Sequence, residues 1–253
     1  MSRKIAITNQ KGGVGKTTTA LSLAGALSMK EKKVLLVDLD TQGNASAAAG
    51  FIIEHEQPTI KELLTGIKKA SDIILDAEGF HIIAANNALK DIEAEVSENH
   101  KSDLLKKSLS PLENSYDFFI FDCPPSFNTF TRNALVAADE YLIPVDVGYF
   151  SILGLKQLLE EVNRIQSSLN PDLKLSGVLA CKFDKRTKLS EQVYETLRQN
   201  FSDTLFETTI SVSIDLVRSQ IGHETIFSYK PRSRAADDYM AFAQELLHGK
   251  KEK

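Results

Sequence analysis

The stretch that most limits what this chain can fold into is Lys11-Gly12-Gly13-Val14-Gly15-Lys16-Thr17-Thr18, set between the apolar run Ile5-Ala6-Ile7 and a helix-like segment from Thr18 to Met29. It reads as strand, glycine loop, helix. Glycines at 12, 13 and 15 allow close backbone approach, so successive N–H groups can wrap a phosphate while the following helix offers its positive N-terminal end. Lys16 is placed to reach the outer phosphates as a point charge, and the Thr17 hydroxyl to ligate a magnesium ion bridging them. The candidate nucleotide-binding residues are therefore Lys11, Gly12, Gly13, Val14, Gly15, Lys16, Thr17 and Thr18.

Two further apolar runs end in acids. Val34-Leu35-Leu36-Val37 leads into Asp38-Leu39-Asp40-Thr41-Gln42-Gly43-Asn44, and Phe118-Phe119-Ile120-Phe121 leads into Asp122. Continuous apolar runs suit parallel strands buried on both faces, and acids at their C-terminal ends lie where open α/β sheets bind ligands. Alternate residues of a strand end point the same way, so Asp38 and Asp40 can both face the phosphate site, one near the metal and one near the attacking water. Pro124-Pro125 stops the third run from continuing as an ordinary ladder.

Elsewhere the pattern gives helices over 59–64, 87–98, 101–112, 131–138, 151–169 and 234–248, with strands at 80–84, 141–145 and 175–183. The alternation implies an α/β fold: a mostly parallel twisted sheet with helices on both faces, in one domain spanning 1–253. Apolar residues of the helix over 151–169 (Ile152, Leu155, Leu158, Leu159, Val162, Ile165) and of the closing helix (Tyr239, Phe242, Ala243, Leu246, Leu247) recur at three- and four-residue steps, as core stripes do. The closing helix also carries Asp237, Asp238 and Glu245, and the tail Lys250-Lys251-Glu252-Lys253 is short and polar, which is not the chemistry of a membrane anchor.

Of 253 residues, 42% are hydrophobic and 25% charged, an ordinary globular balance. A net charge of −4 excludes a bulk polycation, so any nucleic-acid contact needs a local patch. Lys182, Lys185, Arg186 and Lys188 supply one, four basic residues in seven positions, able to neutralise phosphates without reading sequence. Cys123 and Cys181 stand far apart with no C-x-x-C, which argues against a zinc or iron–sulfur site within the chain and for a reducing, cytoplasmic setting. His55, His81 and His100 have no partners at ligand spacing. No signal peptide and no apolar run of 18 residues is present.

The glycine loop departs from the generic phosphate-loop pattern: Gln10 stands where the first glycine would fall, and Lys11 sits at the loop entrance. This resembles the deviant Walker A form, KGGxGK[ST], of the ParA/MinD group. Resemblance to ParA/Soj partition ATPases of the short form, without a helix-turn-helix ahead of the loop, extends over nearly the whole chain. It is strongest at 4–46, 116–160 and 178–201. What that resemblance implies is an ATP- and magnesium-dependent switch. Two subunits join face to face around nucleotide, with Lys11 touching the partner's phosphates. The dimer binds DNA non-specifically, and a ParB-like centromere-binding protein stimulates a slow hydrolysis in chromosome or plasmid partition. On this reading Lys11, Lys16 and Asp40 are catalytic, Asp40 acting on the water, and Thr17, Asp38 and Asp122 form the metal site.

Arg186 takes the place of a family arginine that contacts DNA. The second such arginine aligns with Asp215, a charge reversal that Arg218, Lys230, Arg232 or Arg234 would have to offset. Ser126-Phe127-Asn128 lacks the glycine of the family's S-L-G, and Gly148-Tyr149-Phe150 replaces an acidic-aromatic-aromatic run. Three other readings follow from the same loop. A MinD-like membrane switch needs an amphipathic basic tail. An iron–sulfur carrier needs surface cysteines. A positioning ATPase for a protein cargo, with weak or no DNA binding, is favoured by Asp215.

Overall fold

The computed structural model describes residues 2–54, 57–98, 101–147 and 152–248. His55, His100, Gly148-Tyr149-Phe150, Ser151 and the basic tail lie outside the described residues, as does the side chain of Ile152. Its strands are β1 (Arg3–Ile7), β2 (Val34–Asp38), β3 (Ile74–Asp76), β4 (His81–Ile83), β5 (Phe118–Asp122), β6 (Glu140–Asp146), β7 (Lys174–Phe183) and β8 (Leu205–Ser211). They form one sheet in the order β3-β4-β2-β5-β1-β6-β7-β8, parallel throughout except for the antiparallel β3–β4 pair. The expected doubly covered parallel sheet is thus what the chain adopts.

Alternation along the central strands divides the core. Ala6, Leu35, Val37, Phe119 and Phe121 point to one side, and Ile5, Ile7, Val34, Leu36, Phe118 and Ile120 to the other. The first side is covered by α3 (Ile60–Leu64), α4 (Glu93–Glu98), α5 (Leu104–Leu109), α6 (Thr129–Ala137), α7 (Ile152–Ser168) and α8 (Lys188–Asn200). The second is covered by α1 (Lys16–Ser28), α2 (Asn44–Ala48), α9 (Ile214–Ile221), α10 (Ile226–Tyr229) and α11 (Arg234–His248). Phe119, Phe121, Phe130 and Phe242 are completely buried, and each contributes on the order of 2–3 kcal/mol by leaving water.

The stripes of α7 and α11 face the core as their spacing implies: Leu158 and Val162, and Tyr239, Phe242 and Ala243, are fully buried. The single helix read over 87–98 is instead a 3₁₀ turn at Asn87–Ile92 followed by α4, with the Asn86 side chain capping the turn. The region read as helical over 101–112 begins later, at Leu104, and ends in a 3₁₀ turn carrying Pro111. At α6 the missing family glycine is explained by a cap: Asn128, at φ −96°, accepts hydrogen bonds from the N–H groups of Phe130 and Thr131, so the position needs an Asx side chain rather than a flexible backbone.

Register places the chemistry. Ile7, Asp38 and Asp122 are aligned neighbours at the C-terminal ends of β1, β2 and β5, so the glycine loop leaving β1 sits beside both acids.

Candidate functional site

Gly15 is the N-cap of α1, at φ +101°, a conformation that favours glycine. No side chain caps this helix and its first turn holds no acid, leaving the N–H groups of Lys16, Thr17 and Thr18 without intrahelical partners. A β-carbon on Gly12 or Gly13 would meet nothing within 4 Å, so the loop opens onto free space. Asn9 pins the loop at its start: its amide donates to the Pro144 carbonyl at 2.8 Å and its Oδ1 accepts from the Lys11 N–H at 3.0 Å. Beneath it, Thr19 meets the Tyr239 hydroxyl at 3.2 Å, and Cys181 packs 3.8 Å from where a Gly15 β-carbon would stand.

Lys16 is 6% exposed and donates to the Lys11 carbonyl at 3.1 Å, which among the described residues leaves two of its three N–H donors unspent. Burial lowers its pKa, and Asp122, Cys123 and Asp40 pull it back up. Around it lie three buried acids. Asp38 is held on both oxygens: Oδ1 accepts from the Asp40 N–H at 3.0 Å, and Oδ2 accepts from the Ser46 N–H and hydroxyl at 2.9 and 2.7 Å. Burial raises its pKa to about 6, against the pull of those hydrogen bonds. Asp40 Oδ1 accepts from the Gln42 N–H at 2.9 Å.

Asp122 differs from both. It is fully buried, and among the described residues neither carboxylate oxygen has a partner with full hydrogen-bond geometry, the Thr17 hydroxyl giving it only a weak contact. Burial drives its pKa well up, with Asp38 adding repulsion, while the nearby Thr17 hydroxyl and Lys16 ammonium oppose the rise. An orphaned buried carboxylate is expensive unless something cationic completes it. In their ionised forms, three buried carboxylates against one buried ammonium would leave a local excess of negative charge that a divalent cation would balance. Among the described residues no cluster of three or more His, Cys, Asp or Glu forms a metal cage. Magnesium is not held that way: it takes one or two protein groups and completes its shell with phosphate and water. Of the expected set, Thr17 and Asp122 fit that pattern, and Asp38 already accepts hydrogen bonds from Ser46 and the Asp40 N–H.

Known proteins resemble this chain over nearly its whole length. A family profile described as an AAA domain matches residues 2–175. The sporulation initiation inhibitor protein Soj of Bacillus subtilis is 39% identical over 249 residues, covering 97% of this chain and 98% of Soj. The chain belongs to the ParA/Soj family of partition ATPases. The chromosome partitioning protein ParA of Myxococcus xanthus is 37% identical over 250 residues, 98% of this chain and 88% of that one. Cobyrinic acid a,c-diamide synthase from Mycobacterium smegmatis, solved with bound ADP and magnesium, superposes with a TM-score of 0.87 at 31% identity, over 98% of this chain and 94% of that one. The P-loop ATPase fold and the deviant Walker A loop are therefore those of the ParA/Soj family.

The basic patch of this ParA/Soj chain is less free than its sequence suggests. Arg186 lies flat on Asp184, Nε to Oδ1 at 2.9 Å and Nη2 to Oδ2 at 2.8 Å, and this pairing lowers the Asp184 pKa to about 2. Lys182, at φ +55°, pairs with Asp146 at 2.9 Å. Both pairs have exposed basic partners, and such pairs are worth under about 1 kcal/mol, so a phosphate can compete for either. Lys185 and Lys188 are exposed, and Lys188 opens α8, where a helix N-terminus disfavours a cation and favours an anion beside it. Asp215 is neutralised by Lys230 at 3.0 Å, while Arg218 on the same helix is exposed. Of the offsets expected from the sequence, Lys230 is the one that touches the reversed charge.

Sequence reasoning missed Ser46 and Asn9, which fix the geometry of Asp38 and of the loop. Ser46 had a weak signal, a hydroxyl just inside the helix that follows the acidic turn; Asn9 had only its place ahead of the glycines.

Proposed function

We propose that this chain is a partition-type switch: it binds ATP with magnesium, dimerises around the nucleotide, engages DNA non-specifically, and is reset when a ParB-like centromere-binding partner stimulates hydrolysis. The observation that carries the nucleotide step is the orphaned Asp122 carboxylate beside Lys16 and Thr17 at an open glycine loop. Thr17 and Asp122 would hold magnesium, which supplies charge neutralisation on the phosphate oxygens. Lys16 turns its spare donors to the outer phosphates, and Asp38, locked by Ser46, keeps the strand end in register. Asp40 orients the water that attacks the terminal phosphate, from a loop whose shape Gln42 and Gly43 maintain. Lys11 reaches the second subunit's phosphates, and Lys182, Lys185, Arg186, Lys188 and Arg218 supply phosphate-backbone contacts. The protein acts in the cytoplasm, on the nucleoid where DNA is its track.

One observation favours the cargo-positioning alternative. The outward face of α9 is apolar, with Ile214, Val217 and Ile221 all at least half exposed, and Val212 just ahead of the helix is exposed too. Lysine or arginine would suit a DNA track better.

Hydrolysis and light scattering test the switch together. Wild-type protein should release phosphate from ATP only with magnesium. Asp40→Ala should accumulate as an ATP-dependent dimer, and Lys16→Ala should do neither. A protein that stays monomeric with ATP in the Asp40→Ala form contradicts the proposal.

A further inference from the structure

Helix α9 and the turn that follows it touch the nucleotide machinery at two points. Gln220 Nε2 donates to the Thr18 hydroxyl on the first turn of α1 at 2.8 Å. Three residues on, the His223 ring donates from Nδ1 to the Ala47 carbonyl of α2 at 2.7 Å, a bond that requires the proton on that nitrogen because a carbonyl only accepts. Helix α2 follows the Asp40 loop directly and carries Ser46, the partner of Asp38. The buried side of α9 is otherwise small, Leu216 and Ser219, and the Ser219 hydroxyl is spent on the Leu216 carbonyl of its own helix.

Thr18 occupies the third position of α1, where side chains lean toward the helix N-terminus and so toward the phosphate site. Its hydroxyl has one hydrogen to give. With an amide N–H of Gln220 donating to its oxygen, that hydrogen is turned away from Gln220 and left for an acceptor at the mouth of the helix.

We infer that Gln220 is a positioning residue for nucleotide binding: it orients the Thr18 hydroxyl as a donor to a phosphate oxygen, and so makes the seating of α9 depend on the occupancy of the glycine loop. This rests on the nucleotide reading of that loop. Gln220 itself touches no phosphate. A glutamate there would reverse the bond, because a carboxylate accepts the Thr18 hydrogen and adds a negative charge beside the phosphates. A leucine would remove the bond and keep the bulk.

The test is the affinity of full-length wild type, Gln220→Leu, Gln220→Glu, Thr18→Val and the Thr18→Val/Gln220→Leu double variant for ADP with magnesium, by titration calorimetry, with thermal melting alongside. Gln220→Leu should weaken ADP binding about fivefold, the net worth of one hydrogen bond. Gln220→Glu should weaken it more, and the double variant should be no weaker than Thr18→Val alone. Gln220→Leu and Gln220→Glu binding as wild type does, even with a lowered melting temperature, overturns the inference, as do losses that simply multiply in the double variant. If leucine at 220 prevents folding, the isosteric glutamate decides. Wild-type protein that fails to bind ADP at all sinks the nucleotide reading itself, which is a different failure.

Discussion

At the scale of single residues the site is held in tension. Asp122 is buried with both oxygens unpartnered, and Asp38, though hydrogen-bonded on each oxygen, still has a pKa pushed up to about 6. Asp122→Asn should therefore make the nucleotide-free protein more stable, by about 1–2 kcal/mol in urea unfolding, while removing magnesium-dependent hydrolysis. Loss of stability in that variant would mean that the carboxylate is paired after all. Asp38 sets a pH dependence whose sign follows from its raised pKa. Between about pH 4 and 6 the folded state holds a proton that the unfolded state has released, so stability falls as pH rises through this window. A shift from 3.8 to about 6 corresponds to about 3 kcal/mol, fully lost above the folded value. Asp38→Asn cannot titrate, so wild type should lose about that much stability relative to it between pH 4 and 7. Parallel unfolding curves for the two proteins across that range would contradict the burial argument.

Strands buried on both faces and helices with a regular apolar stripe were legible in the sequence, while elements with neither pattern were hidden. Val34–Asp38 and Phe118–Asp122 are uniformly buried and appear as unbroken apolar runs. Edge strand β8 mixes buried Leu205 and Phe206 with exposed Glu207 and half-buried Thr208 and Thr209, so it has no run and no clean alternation. Helix α9 misleads in a different way: its apolar spacing, Ile214, Val217 and Ile221, marks the solvent face, while Gln220 makes the contact that matters inward. Loops are a third case, because their shape rests on single contacts. Gly43, which caps α2 at φ +62°, leaves only 2.6 Å between a would-be β-carbon and the Ala85 carbonyl oxygen, a backbone atom with little room to yield. Gly43→Ala should displace the Asp40 loop and cut hydrolysis by about a hundredfold, the scale of a 1 Å misplacement, while ADP affinity, set by the other loop, stays within about twofold. Steady-state rates beside ADP titrations separate the two effects, and an unchanged rate would remove the loop from the chemistry.

For the whole molecule, a single sheet carries two cores. The phosphate loop, both strand-end acids and the Asp40 loop gather at the C-terminal ends of β1, β2 and β5, as the sequence implied. The basic patch lies farther along that sheet, from the end of β7 into α8. With a net charge of −4, any contact with a polyanion would have to use this patch, and doubling it in the proposed ATP-bound dimer would turn weak single contacts into retention. The Asp40→Ala protein, expected to stall before hydrolysis, allows this to be measured: binding of a random DNA duplex with ATP and magnesium over a salt series, beside an otherwise identical protein carrying Arg186→Glu. Binding that appears only with ATP, weakens steeply with salt and disappears with Arg186→Glu is the expected result. A protein that dimerises with ATP yet ignores DNA even at low salt would contradict the partition reading and leave a nucleotide switch whose track is another surface.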